Sequence, residues 1–369
     1  MRERKVKTMN YVRNTWYAAI WSDDLDQSLV ARTYLNEPVL LYRKADGTPV
    51  AMEDRCPHRY APLSMGKLID DQVECLYHGL RFDCSGACTD NPNGTGLIPK
   101  AATIRTYPLV ERFGMVWIWM GDPARADPAL LPDLTPLVDT KHYTAVHGTL
   151  KLEANYLLVL DNLTDLSHAS FVHVETLEPR EMAREQFKVS ENPDGTLWTR
   201  LFHPAMTVPK FFSLVPGLPD KMDHWLEMRC NAPGVMVTIY GVTEIGSTRE
   251  MGYDTYNPNL ITPETDYTTH YFWGSARTFS LDDTELTSTL RELAELAFST
   301  EDKPIIEAQQ KLLGRRELMD VNPVLLPNDA ASGRARRAIQ RQIAEEQREA
   351  LPEQEQVIHS LNALTSANI

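Results

Sequence analysis

Cys56-Pro57-His58-Arg59, then fifteen residues, then Cys75-Leu76-Tyr77-His78-Gly79: the reading of this chain turns on this stretch. Each short run offers one thiolate and one imidazole. Two such runs can place two Cys on one iron and two His on another, the ligand set of a Rieske [2Fe-2S] cluster, whose potential lies far above that of an all-Cys ferredoxin. The candidate ligands are Cys56, His58, Cys75 and His78. A structural zinc site is the competing interpretation, but there like ligands are paired and stand about two to four residues apart. Cys-x-His is too tight and too mixed for that. Pro57 and Gly79 suit two tight facing loops whose amides donate to cluster sulfurs.

Working outward, the 369 residues are 43% hydrophobic and exceed what one core usually holds, so two domains are expected. A Rieske module needs only about a third of such a chain. With Cys56 and Cys75 assigned, three of the five cysteines remain, Cys84, Cys88 and Cys230, an odd number without a disulfide pattern. That favours a reducing, cytoplasmic setting. Asp83-Cys84-Ser85-Gly86-Ala87-Cys88 hints at a second metal site, yet no nearby His or Cys completes it, and the two thiols read as ordinary buried ones. A net charge of -14 argues against general nucleic-acid binding. No apolar stretch reaches the roughly 18 residues needed to span a bilayer, and the basic Met1–Lys7 leads into no apolar signal, so neither membrane insertion nor export is expected.

From Tyr34 to Ala51 and again from Val110 to Met120, short apolar runs alternate with turn residues and read as antiparallel strands carrying the two ligand loops. The stretch Gly121 to Pro136, rich in proline, is the best domain boundary. Beyond it, Leu152 to Val172 reads as a helix, 222–246 and 266–279 as strands, and Asp282 to Leu313 as helix interrupted or restarted at Pro304. The fold class is α+β: an antiparallel β Rieske domain over 9–125, then an α+β catalytic domain over 138–350 in which helices flank an antiparallel sheet. Residues 1–8 and 351–369 read as flexible termini. The charged stretch Arg334 to Arg348 reads as a solvated helix, with a subunit or partner contact as the alternative.

A one-electron cluster needs an acceptor. Asp161-Asn162-Leu163-Thr164-Asp165-Leu166-Ser167-His168-Ala169-Ser170-Phe171-Val172-His173 supplies two imidazoles beside carboxylates, and non-haem Fe(II) oxygenases hold iron through two His and one carboxylate. A satisfied histidine is the ordinary reading of any lone His, but two of them in this setting make His168 and His173 the candidate pair. On a regular helix a spacing of five puts them about 140° apart, so one must sit at a helix end or a π-bulge. Asn162, Asp165 and His168 are spaced by three and fall on one face. Asp165 is better used accepting a hydrogen bond from an imidazole N–H than as a ligand. Glu301 and Asp302, beside Pro304, are the candidates for the carboxylate, and sequence chemistry does not choose between them.

The two motifs together resemble the Rieske non-haem iron oxygenase α subunits, within them the vanillate O-demethylase, dicamba monooxygenase and toluenesulfonate methyl-monooxygenase group. Further matches are Val12-Arg13-Asn14-Thr15-Trp16-Tyr17, Ala61-Pro62-Leu63-Ser64, Ile261-Thr262-Pro263-Glu264-Thr265 and Tyr271-Phe272-Trp273-Gly274. The resemblance runs from about Met9 to the C-terminal helix. It implies Asp302 as third iron ligand, Asn162 as a neighbour of the iron, and a head-to-tail homotrimer in which Asp165 links His78 of one subunit to His168 of the next. It also implies electron delivery from NAD(P)H through a separate reductase, in some members with a ferredoxin, to the cluster and then to Fe(II), where O2 is activated. No Gly-x-Gly-x-x-Gly opens a helix here, so the nicotinamide is the partner's business.

For the substrate, the resemblance implies an aromatic acid bearing a methoxy or methyl group. Asn259 and Leu293 stand where the dicamba enzyme uses His and Trp, while Phe272-Trp273-Gly274 and Thr284-Glu285-Leu286-Thr287 look more like the vanillate enzyme, which favours O-demethylation with release of formaldehyde. Phe202, Phe211, Phe212 and Trp225 are candidates to line an aromatic pocket, with core packing as the alternative for each. Ring or methyl hydroxylation and N-demethylation are competing reactions for the same metal sites. A bare Rieske electron carrier, or a zinc-stabilised binding protein, is the competing class, though a carrier has no use for the domain beyond Pro136. Arg59, Lys67 and Arg81 near the loops are candidates to steer an acidic redox partner.

Overall fold

A computed structural model describes residues 11–174, 176 and 187–350. The first module consists of β1 (Trp16–Trp21), β2 (Val30–Tyr34), β3 (Glu37–Arg43), β4 (Pro49–Glu53), β5 (Lys67–Ile69), β6 (Gln72–Glu74), β7 (Arg81–Phe82), β8 (Cys88–Asp90), β9 (Leu109–Arg112) and β10 (Met115–Trp119). They form antiparallel sheets in the orders β1-β10-β9, β2-β3-β4 and β5-β6-β7-β8. The two ligand runs fall in the β4–β5 and β6–β7 connections, as the alternating pattern predicted. Leu40, Tyr42, Met52, Leu63, Val73 and Phe82 pack with Cys56 and Cys75 into a small core of their own beneath the loops.

The second module consists of β11 (Thr144–Leu152), α1 (Tyr156–Thr164), α2 (Ala169–Val172), β12 (Lys188–Glu191), β13 (Leu197–Thr207), β14 (Lys221–Asn231), β15 (Val235–Thr243), β16 (Tyr253–Thr265), β17 (Thr268–Arg277), α3 (Thr284–Leu296), α4 (Lys303–Leu313) and α5 (Ala330–Glu349). The strands form one antiparallel sheet in the order β11-β17-β16-β15-β14-β13-β12. Helices pack against it, giving the α+β architecture expected.

Two expectations are corrected, and one is filled in. The helix expected over Leu152–Val172 is broken: Leu152 closes β11, Asn155 caps α1 by accepting from Leu157 N, and the chain leaves helical geometry at Asp165 (φ -93°, ψ 89°). The Gly121–Pro136 connection, read as the domain boundary, is itself packed: Leu131 and Leu134 bury among Trp16, Trp119, Val235 and Phe272. The C-terminal helix is not a solvated one. Ala335, Arg336 and Ile339 of α5 are buried, Arg336 forms a two-pronged ion pair with Asp161 of α1 at 2.6 and 2.7 Å, and Glu346 accepts the Arg13 and Asn14 amides.

The modules are joined closely. Leu35 N donates to Pro263 O, Asn36 N to Glu264 O and Thr262 Oγ1 to Ala18 O, and a shared core runs from Tyr17 and Ile118 to Leu152, Ile261 and Trp273. The ends expected to be flexible, 1–8 and 351–369, lie outside the described residues.

Candidate active site and cluster loops

The two cluster loops share one backbone plan. Cys56 N donates to Ala61 O and Tyr60 N returns to Cys56 O; Cys75 N donates to Leu80 O and Gly79 N returns to Cys75 O. Each loop therefore turns through a left-handed residue four places after its Cys, Tyr60 at φ 57° and Gly79 at φ 73°. Glycine is demanded in the second loop for a further reason: a Cβ there would stand 2.9 Å from Pro92 Cγ. The plan brings the four side chains together, with the His58 and His78 rings 4.6 Å apart and both Cys buried. Burial and the adjacent Cys75 push the Cys56 thiol up to about 11, while the His58 and Arg59 amides point at its sulfur and oppose that shift. Two thiols over two imidazoles, with amides aimed at sulfur, form a donor set that fits a Rieske cluster.

Around them, Tyr60, Met65, Leu76 and Tyr77 are exposed. Of the suggested steering cations, Arg59 and Lys67 are exposed, whereas Arg81 is engaged with Glu74 at 2.8 Å. Cys84 is exposed and Cys88 half-buried, against the expectation of buried thiols; Cys230 is buried. The described residues contain no metal-binding cluster at Cys84 and Cys88.

The second site forms where helical regularity fails. Asp165 ends α1, and its carboxylate accepts from Ser167 N and Oγ at 3.0 and 2.5 Å, starting a 3-10 turn that carries His168. His173 closes α2. The irregularity expected between the two His is thus a break rather than a π-bulge, and it leaves their ring centroids 5.2 Å apart. The π-turn lies instead on the facing helix, Ala297–Asp302 between α3 and α4. Pro304 explains it: a regular helix would drive the proline ring into the Thr300 carbonyl four residues back, and Pro304 has no N–H to give it. The widened turn directs both adjacent acids at the His pair.

Glu301 and Asp302, between which sequence chemistry did not choose, take different parts. Asp302 approaches Nε2 of both rings, 3.4 Å to His168 and 3.2 Å to His173, and the donor atoms of the three residues lie within 4.8 Å of one another. Glu301 takes the other side of His173, accepting from Nδ1 at 2.8 Å and from Thr176 Oγ1 at 2.7 Å. His168 Nδ1 meets the backbone carbonyl of Asp165. The acceptor expected to be the Asp165 carboxylate is therefore its main chain. Because a carbonyl and a carboxylate only accept, Nδ1 of each ring is the donor in these two contacts, which leaves Nε2 of both rings facing the Asp302 oxygens as the atoms a metal would meet.

Burial pushes the Asp302 carboxyl upward, but His168 and His173 outweigh it and hold the group well below the usual carboxylate range. Burial lowers His173, but Asp302 and Glu301 carry it above its ordinary value. Asn162 Nδ2 donates to Asp302 Oδ1 at 3.0 Å, steadying the carboxylate. Two imidazole lone pairs and one carboxylate on one side of a cavity fit a non-haem iron with open positions.

That cavity runs from His168, His173 and Asp302 past Leu163, Phe298 and Ala294 to the face of the sheet formed by β14 to β17. Phe211 lines it. Phe202 is exposed, while Phe212 and Trp225 are core, Trp225 Nε1 bonding Asp254. Asn259 is in the wall and accepts from Tyr271 OH at 2.7 Å, whereas Leu293 packs against the core. Tyr240, Phe298, Asn257 and Ser275 also line the cavity and escaped the sequence reading. The alternation Thr255-x-Asn257-x-Asn259, polar on one face of a largely buried strand, was a usable signal for three of the cavity's polar residues.

Fold and site thus define a two-centre iron oxygenase component. The Rieske [2Fe-2S] domain model matches residues 15–108, and the vanillate O-demethylase oxygenase C-terminal domain model matches 152–345. The chain is 37% identical to the dicamba O-demethylase oxygenase component of Stenotrophomonas maltophilia, over 90% of this chain and 98% of that protein. It is 32% identical to the vanillate O-demethylase oxygenase subunit of Pseudomonas sp. strain HR199, over 91% and 96%. A crystal structure of dicamba monooxygenase bound to dicamba superposes with a TM-score of 0.84 at 36% identity, covering 91% of this chain and 98% of that one. The chain belongs to the Rieske non-haem iron oxygenases, as an oxygenase component carrying a [2Fe-2S] cluster and a mononuclear iron and served by a partner reductase.

Proposed function

We propose that this chain is the terminal oxygenase of a multicomponent monooxygenase that hydroxylates the methoxy carbon of an aromatic substrate. The observation that carries this reading is the convergence of the His168 and His173 Nε2 atoms and the Asp302 carboxylate at the end of a largely apolar cavity, in a chain whose relatives include two O-demethylases. Cys56, His58, Cys75 and His78 would hold the cluster; His168, His173 and Asp302 would hold the iron. When bound, the cluster supplies single electrons and the iron activates O2. The chain's own residues do the rest. Leu163, Ala294 and Phe298 exclude water, Asn162 orients the Asp302 carboxylate, and Glu301 fixes the His173 tautomer. The net reaction takes up O2, two electrons and two protons. It yields water and a hemiacetal, which collapses to formaldehyde and a phenol.

The electron-receiving module is assigned to 9–125 and the catalytic domain to 138–350, with the matched stretches 15–108 and 152–345 inside these bounds. A homotrimer with cluster and iron paired across subunits is supported by the exposed rim of Tyr60, Met65, Leu76 and Tyr77 around the loops. On the other side of such a contact, Asp165 is the bridge: one of its oxygens is spent on Ser167, and the other is left for a neighbour's His78. No helix of the described residues is long and apolar enough to cross a membrane, in keeping with a cytoplasmic enzyme. An aromatic acid is the substrate class that the family resemblance suggests.

The test is an oxygen-uptake screen of methoxylated arenes with a surrogate reductase, scoring products. Formaldehyde and the demethylated phenol in equal amounts are expected. A ring diol, or a hydroxylated ring with the methoxy group intact, would overturn the reading in favour of ring hydroxylation.

A further inference from the structure

The cavity's far wall carries a chemical preference. Thr255, Asn257 and Asn259 alternate along β16 and face the cavity together, with Thr238 and Tyr240 opposite Asn257 and Thr255 on β15. Among the described residues that line the cavity there is no Lys or Arg; the only imidazoles are those of His168 and His173. The wall's N–H groups are also spent. Asn257 Nδ2 donates to Thr238 O at 3.2 Å and to Thr255 Oγ1 at 3.0 Å, using both its hydrogens. Asn259 Nδ2 donates to Asn257 O at 2.9 Å and Thr238 Oγ1 at 3.4 Å, and its Oδ1 takes the Tyr271 hydroxyl. The Thr255 hydroxyl donates to Tyr240 O at 3.1 Å. Because a backbone carbonyl only accepts, the Asn257 amide is fixed with nitrogen toward Thr238, and what it can offer a ligand is Oδ1, an acceptor.

We propose that Asn257 is a specificity-determining residue, and that the ring substituent this wall holds is a neutral hydrogen-bond donor such as a phenolic hydroxyl, not a carboxylate. The inference rests on the O-demethylase reading and narrows its methoxylated aromatic substrate to a methoxyphenol, in place of the aromatic acid that the family resemblance suggests. A carboxylate brought here loses its hydration and meets an acceptor, spent amides and, among the described lining residues, no cation, with the hydroxyls of Thr238, Tyr240 and Ser275 as the wall's other polar groups. A phenol O–H gains a partner at Asn257 Oδ1 and leaves the rest of the wall as it is.

The experiment titrates the iron-loaded oxygenase, held without O2, with ortho-methoxyphenol, methoxybenzene and ortho-methoxybenzoate near neutral pH, reading Kd by calorimetry. The phenol is expected to bind about tenfold more tightly than either of the others. Asn257→Leu should bring phenol and methoxybenzene level, while Asn257→Asp, which keeps the acceptor, should retain the phenol's advantage. A variant that fails to fold is recognised by its circular dichroism, and the three parental affinities decide the matter without it. Benzoate binding as tight as the phenol's overturns the proposal. Formaldehyde release is assayed separately, so demethylation of benzoates alone would sink this proposal and spare the O-demethylase reading, whereas tight phenol binding without formaldehyde would do the reverse.

Discussion

The two iron sites are built on opposite principles. The cluster site is a duplicated local device: the same two backbone bonds and the same left-handed fourth residue occur in both loops, and each loop brings one Cys and one His. The mononuclear site is assembled from segments 128 residues apart in sequence, at a helix that breaks and a helix that widens. Local repetition makes a site sturdy and easy to read. Assembly from irregular ends makes a site whose parts depend on distant packing, and whose open side can be given to a substrate.

The sharpest way to break that comparison is to remove one ligand from each site. His168→Ala is expected to abolish turnover and mononuclear iron while leaving the Rieske visible spectrum intact. His58→Ala should erase that spectrum and spare the iron of the other site. Metal analysis and absorption spectra of the two purified variants check this; loss of both centres in either variant would show that the sites are not separately built.

Next in size is Glu301→Gln. The amide oxygen can still accept from His173 Nδ1 but no longer carries the charge that strengthens this bond and raises the ring's basicity, and iron affinity should fall about 10–100-fold with the cluster spectrum unchanged. Equilibrium dialysis against a chelator measures it. Unaltered affinity would mean that Glu301 only closes a helix turn.

What could be read beforehand follows the same division. The cluster ligands and their loops were legible because everything that matters lies within a few residues. The pair His168 and His173 was legible as residue types, and their misfit to a regular helix announced a break without saying where. Asp165 shows why: its side chain caps Ser167, and an Asp that stops a helix looks in sequence like one that continues a face. Asp302 needed the family resemblance, since only the π-turn before Pro304 separates its direction from that of Glu301. The aromatic candidates fared worst. Phe212 and Trp225 are as apolar as Phe211, but Phe211 and Phe212 are neighbours at the start of a 3-10 turn of which only the first lines the cavity, and Trp225 alternates on β14 with Leu226, which lines it in its place.

The misread C-terminal helix supplies the third test. Arg336 and Asp161 tie α5 to α1, the helix that ends at the site, and both side chains are largely buried. Arg336→Met leaves the carboxylate without its partner, and a loss of about 3 kcal/mol is expected in urea unfolding. Asp161→Leu combined with it should recover much of that loss, because the cost lies in the orphaned charge. If the single variant is as stable as the parent, α5 is an ornament on the catalytic domain and not part of the frame of its site.

The smallest expected effect probes the seam between the two modules. His270 on β17 donates through Nε2 to Thr33 O of β2 at 3.0 Å, with Glu264, Lys151 and Arg32 nearby. Burial holds its imidazole below the ordinary 6.5, and Arg32 and Lys151 add to this, while the Thr33 contact and Glu264 only partly oppose it. The unfolded chain therefore takes up this proton at a higher pH than the folded one does. Stability from the neutral buried ring is present in full above 6.5 and is lost as the pH falls from there toward the lower folded value. Glu264, itself held below 4.5 by Lys151 and its other polar neighbours against burial, adds its own loss only in the more acid range, so the two windows separate. His270→Gln keeps a donor for Thr33 but cannot take a proton. Its Tm should decline less steeply than the parent's between neutral and mildly acid pH, and parallel curves would mean that the seam does not sense this ring's charge.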